Sequence, residues 1–274
     1  MATCTSVRRI DERTLVCASL VGQRLYLFRQ GHFRRRWHLV SQLDTAYRGA
    51  RTCTDLMDYD AGHLLTSNCE NQSVSLYRVR RRSLSHVRDY RIQHAEAGFI
   101  HGVAFVPGGR LLCATSQTPT PSVFIVDRVS GEVVHHVPGG CWLPKDIAFL
   151  DEHRLLVAYS LSHANVDGRG ARGSKVALVE LSADFTSHEV LWEATVPLDH
   201  IDGTRYAAGT WVVASQADDT VHRFRVRRDG LEHLETLRGF DFPHGVDIDV
   251  PSQTVMVTNY GSNTVELRTL RSCT

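Results

Sequence analysis

Two histidines stand in the same short phrase at distant points of the chain, His101 before Gly102-Val103 and His244 before Gly245-Val246. An imidazole changes charge near neutral pH, so a pair brought together can act as general acid and base or as metal ligands. Lys145 is the third candidate. Of the 31 basic residues 29 are arginine, which makes a lysine a chemical choice. An amine can lose its proton and a guanidinium effectively cannot. Carboxylates recur in similar local contexts at Asp55, Asp146 and Asp202, with His200 two residues before the last. Each has a structural alternative: a repeat-encoded histidine that caps a strand against a neighbouring backbone group, or a lysine paired with Asp55, Asp146 or Asp202.

The elements that position these groups repeat. An inner strand, a polar turn, an apolar strand, a second polar turn and a third strand recur six times. The clearest copies are His101–Phe105 with Leu111–Gln117 and Ser122–Asp127, and Pro243–Asp247 with Thr254–Tyr260 and Thr264–Leu267. A period of ~40–50 residues with about four short strands per unit predicts a β-propeller. The expectation is an all-β, six-bladed propeller of about four antiparallel strands per blade, forming one domain over residues 1–274. Only four residues follow Leu270, so the last blade is expected to have three strands. Asp55, Gly102, Asp146, Gly203 and Gly245 are taken as equivalent positions. No segment carries a helical stripe.

The repeats resemble the YVTN and NHL families of propellers. Val255-Met256-Val257-Thr258-Asn259-Tyr260-Gly261-Ser262-Asn263-Thr264-Val265 nearly spells the YVTN repeat, and Ser122–Asp127 with Ser130–Val134 matches its second half. Pro243-His244-Gly245-Val246 looks like the opening of an NHL repeat. The resemblance implies the fold and says little of function, because the superfamily holds lactonases, lyases, cyclases and pure binding domains.

In such a fold the starts of the inner strands and the turns between second and third strands share one face. The inner starts bring Asp55, His101, Lys145, Asp146, His200, Asp202 and His244. The turns bring Glu70, Gln117, His163, Gln216 and Tyr260 as substrate-binding candidates. Ionisable groups converging from several blades mark a pocket. A divalent metal at the axial histidines is one expectation and no cofactor is the other. Three imidazoles with a carboxylate suit zinc or iron better than calcium. The glycine-rich insertion Ser160–Ser174 is expected over the same face, as a lid or a surface loop.

The remaining composition narrows the partners. The net charge of +1 over 274 residues supplies no field for nucleic acid or a membrane surface. Arg34-Arg35-Arg36 and Arg80-Arg81-Arg82 fall in third-to-fourth strand turns without stacking aromatics, and are read as solvated surface. The amino terminus has no apolar leader, no stretch is long enough to span a membrane, and the seven cysteines form no CxxC. Reduced cysteines and a cytoplasmic location are therefore expected. Taken together, the chain reads as a small-molecule enzyme of lyase, cyclase or hydrolase type, a candidate tailoring enzyme of bacterial specialised metabolism. The alternative is a non-catalytic propeller binding a metabolite or a protein partner.

Overall fold

The computed structural model describes residues 3–31, 36–45, 54–161 and 173–271. His163, most of the blade-four insertion, Arg34, Arg35, Cys53 and Cys273 lie outside them. The described residues form 23 strands in six sheets. Blade one is β1 (Cys4–Asp11), β2 (Thr14–Ser19), β3 (Arg24–Gln30) and β4 (Trp37–Asp44). Blade two is β5 (Thr54–Asp60), β6 (His63–Asn68), β7 (Ser73–Arg80) and β8 (Ser83–Arg91). Blade three is β9 (Ile100–Phe105), β10 (Leu111–Ser116), β11 (Ser122–Asp127) and β12 (Val133–Pro138). Blade four is β13 (Leu143–Phe149), β14 (Arg154–Ser160), β15 (Ser174–Leu181) and β16 (His188–Val196). Blade five is β17 (Ile201–Ala207), β18 (Thr210–Ser215), β19 (Thr220–Arg227) and β20 (Gly230–Arg238). Blade six has three strands, β21 (Pro243–Asp249), β22 (Thr254–Asn259) and β23 (Thr264–Thr269).

Within each sheet the strands are antiparallel and follow chain order. The inner strands pack in a closed cycle, β1, β5, β9, β13, β17, β21 and back to β1. This is the six-bladed propeller expected from the repeats, including its three-stranded last blade. No described helix is long and apolar enough to cross a membrane.

The second strands are continuous apolar runs because both of their faces are covered; β2 and β10 are buried along their whole length. Outer strands such as β16 have mostly exposed or half-buried residues. The core consists of six seams, each filled from two neighbouring blades. Between blades three and four, fourteen buried residues interdigitate, among them Ile125, Ile147, Leu155 and Val179. The seam that closes the ring, between blades six and one, is the thinnest. It holds five: Cys4, Val7, Leu15, Cys17 and Met256. Polar bonds supplement it: Arg8 Nη1 donates to Val246 O at 2.6 Å, and Arg9 N to Asp247 Oδ2 at 2.7 Å. Thr258 Oγ1 adds a bond to Thr5 O at 2.9 Å.

Candidate functional site

Every inner strand carries an extra residue relative to its partner near its start, and β1 carries a second between Arg9 and Asp11. The register slips between Cys4 and Ser6, Thr54 and Met57, and Ile100 and Val103. It slips again between Pro144 and Asp146, Ile201 and Thr204, and Pro243 and Val246. A bulge re-aims the side chain it contains. Six bulges at one level therefore define a ring of six positions: Thr5, Asp55, His101, Lys145, Asp202 and His244. The backbone bonds after the bulge agree, since Leu56 N, Gly102 N and Gly245 N each donate to a hydroxyl on the second strand of their own blade. Asp55 is thus equivalent to His101, one residue from the alignment with Gly102 read in the sequence. Leu56 stands where the other blade has glycine, and this hid the register.

Small residues after the ring position let the blades meet at backbone contact. A Cβ on Gly102 would lie 2.6 Å from Lys145 O and 2.7 Å from Asp146 Cα. On Gly245 it would lie 2.5 Å from Thr5 O and 2.7 Å from Ser6 Cα. The same approach brings the histidines onto their neighbours' carbonyls. His101 Nδ1 is 2.8 Å from Lys145 O, and His244 Nδ1 is 2.9 Å from Thr5 O. A carbonyl only accepts, so each Nδ1 carries the proton. Nε2 is then the nitrogen left to face the axis.

Across the axis the two imidazoles alternate with two carboxylates. His101 Nε2 lies 3.2 Å from Asp55 Oδ2 and 3.4 Å from Asp202 Oδ1. His244 Nε2 lies 3.3 Å from Asp55 Oδ1 and 3.6 Å from Asp202 Oδ2. These are ion-pair separations, yet Asp55 Oδ1 and Asp202 Oδ1 are buried and accept no hydrogen bond from the described residues. Cys69 Sγ donates to Asp55 Oδ2 at 3.5 Å. The ionisable ring residues are 3–4% exposed. At this depth an unmatched charge is expensive, so the groups control one another's ionisation. Burial lowers the His101 pKa, opposed by Asp55 and Asp202. Burial likewise lowers Lys145, against the same two carboxylates. Asp202 is raised by burial, but His244, His101, Lys145 and His200 outweigh that and hold it below the usual range.

Asp146 belongs to a second layer further along the axis. Its Oδ2 accepts from Thr204 N at 2.7 Å, and burial, opposed chiefly by Arg8, pushes its pKa up to about 7. The layer continues with Arg205, which pairs with Asp58 and, at 3.3 Å, with Asp247. Two cavities open at this end. One, of about 310 Å³, is lined by Arg8, Asp58, Arg205 and Tyr206; the other, of about 670 Å³, by Arg9, Arg13, Arg205 and Asp249. None of the six ring residues lines either cavity.

His200 is a turn residue. It has φ 55°, and its carbonyl accepts Gln216 N, as Phe242 O accepts Tyr260 N and Phe99 O accepts Gln117 N. Asp202, not His200, holds the ring position, while His200 sits in the tier above with Phe99 and Phe242. Rings from this side pack on the histidines: Tyr260 stacks on His244 at 5.7 Å between centroids, and Phe99 lies 6.3 Å from His101. Gln117 and Gln216 are buried, Gln117 Nε2 reaching Pro144 O at 3.5 Å. Gln117 Oε1 and Gln216 Nε2 have no hydrogen-bond partner among the described residues. Glu70 is exposed. Thr5, Cys69 and the second-layer pair Arg8 and Arg205 were missed in the sequence. Equivalence to His101 in the blade-one strand is the signal that could have found Thr5.

No family model matches the chain, and no curated protein matches it. Solved structures do. The hydrazine synthase of Kuenenia stuttgartiensis superposes with TM-score 0.66 at 15% identity, over 99% of this chain and 83% of that one. A protein from Lactobacillus plantarum gives 0.68 at 16%, over 99% and 82%. A protein provisionally named a 6-phosphogluconolactonase, from Bacteroides uniformis, gives 0.61 at 13%, over 98% and 80%. At these identities the likeness establishes the propeller fold and nothing of function.

Proposed function

We propose that this propeller is a small-molecule enzyme of the hydrolase or lyase type, with its reacting centre at the bulge ring. The observation that supports it is the convergence of Asp55, His101, Lys145, Asp202 and His244, one from each of five blades, with both imidazoles oriented by backbone carbonyls. A propeller does not need buried charge at this position to close, as Thr5 in blade one illustrates. In this reading Lys145 donates to the polarised oxygen of the substrate, while the two Nε2 atoms and Asp55 accept from the attacking water or hydroxyl. Asp202 takes up the proton released by that attacking group, and Gln117, Gln216 and Tyr260 contact the remainder from the tier above. The provisional lactonase among the structural neighbours favours a cyclic ester or other polarised carbonyl as the first class to try. A cytoplasmic, biosynthetic role stays part of the proposal.

The test is base uptake at constant pH against a panel of sugar lactones, alkyl lactones and aryl esters, using the wild type and the His101→Gln and His244→Gln variants. Turnover by the wild type and its loss in both folded variants supports the reading. Turnover at wild-type rates in both overturns it.

A further inference from the structure

We propose that Asp55, His101 and His244 bind one divalent transition metal of the zinc class at the propeller axis, with Asp202 beside the open coordination position. The proposal rests on the ring being the reacting centre and gives it a Lewis acid.

Four observations carry it. First, both imidazoles are oriented as metal-binding histidines are, with Nδ1–H fixed on a backbone carbonyl and the Nε2 lone pair turned inward. Second, ligand atoms of Asp55, His101 and His244 all lie within 4.8 Å of one another. His101 Nε2 lies 3.2 Å from Asp55 Oδ2 and His244 Nε2 lies 3.3 Å from Asp55 Oδ1, each near the roughly 3.3–3.4 Å separation of two ligands whose bonds to one ion are about 2.0–2.1 Å. Third, Asp55 Oδ1 and Asp202 Oδ1 are buried acceptors without a hydrogen bond among the described residues, although an imidazole nitrogen is close to each. Oxygens that flank a nitrogen without accepting from it are arranged like ligands around a shared ion. Fourth, two imidazoles with a carboxylate suit zinc, iron or cobalt, whereas calcium and magnesium take mainly oxygen.

Charge completes the case. Two carboxylates neutralise a divalent ion, and the Lys145 ammonium leaves one positive charge over. Hydroxide or a substrate oxyanion in the open position balances it. The rival occupant is a proton: one imidazolium and the ammonium also neutralise the two carboxylates. The experiment must separate these two.

The full chain, stripped with a chelator, is titrated with Zn²⁺ by calorimetry, and Co²⁺ loading is followed by visible absorption. The expected result is one Zn²⁺ per chain. His244→Ala and Asp55→Asn should weaken binding by about a hundredfold or more, against at most about tenfold for the outer-rim control His135→Ala. Intense visible bands of low-coordinate Co²⁺ should appear in the wild type, a reading that needs no variant to fold. Absence of stoichiometric binding of Zn²⁺ or Co²⁺ overturns the proposal, as does binding equal in wild type and His244→Ala. Metal binding without turnover on any substrate sinks the enzymatic reading and keeps the site. Turnover indifferent to chelation, with no metal bound, keeps the enzyme and sinks the site.

Discussion

His101 and His244 face each other across the propeller axis with ring centroids 5.8 Å apart and 32° between their planes. They are 143 residues apart in sequence and come from blades three and six of the ring. Each is placed by the same device: a one-residue bulge, a following glycine, and an Nδ1 bond to the next blade's carbonyl.

The glycine in that device is testable by itself. A Cβ on Gly203 would lie 2.5 Å from His244 O and 2.8 Å from Gly245 Cα, so blades five and six would have to part. Gly203→Ala is expected to cost about 1–3 kcal/mol or more. Gly31→Ala, whose nearest contact is His38 Nε2 at 3.4 Å, serves as the control. Thermal melts of the two variants check this, and equal melting temperatures would count against backbone contact between the blades.

The thin seam between blades six and one should be the first to open. Only five buried apolar residues fill it, and much of its remaining cohesion comes from the bonds of Arg8, Arg9 and Thr258. Hydrogen exchange is expected to be faster in β1 and β22 than in the equivalent strands β9 and β14. Uniform protection around the ring would contradict it.

Blade five carries a pH response away from the axis. Burial first, and then His233, depress the His222 pKa to about 4. The unfolded chain takes up this proton near 6.5, so the stabilisation is complete above that pH and is lost as pH falls from 6.5 towards 4. Its size is on the order of 1 kcal/mol once solvent screening of a partly exposed ring is allowed for. Urea midpoints at pH 7 and pH 5 should fall more steeply for the wild type than for His222→Gln. Identical slopes would show that His222 is not the group responsible.

Lys145 separates structure from chemistry. Burial works against its charge, so Lys145→Met removes a desolvated amine and keeps the volume. In the chelated chain the melting temperature should fall, because Asp55 and Asp202 lose a buried cation. Turnover of the folded variant should fall by at least about a hundredfold. A folded Lys145→Met enzyme with wild-type kinetics would remove the lysine from the reaction.

The fold was legible because its signals are local: strand runs, turns and their repeat are visible in the residues of each blade. His101, Lys145 and His244 were legible for the same reason. The ring register was not, because a bulge breaks the two-residue alternation that orients side chains in a strand. Asp55 was therefore misaligned by one, and His200 competed with Asp202 until the left-handed turn at His200 settled the order. Asp146 was expected among the axial groups and lies in the layer beyond them, bonded to Thr204 N. Arg205 stands three residues after its ring position, as Arg8, Asp58 and Asp247 do in their blades, and Cys69 follows its second strand as Gln117, Gln216 and Tyr260 follow theirs; only the register across the bulges makes these matches visible.

The most direct measurement is a crystal structure of the chain soaked with the product of whichever panel substrate it turns over. The account predicts density inside the ring, within hydrogen-bond reach of Lys145 Nζ and between His101 and His244. Density confined to the Arg205-lined cavities at the opposite end, with the ring unchanged, would contradict it.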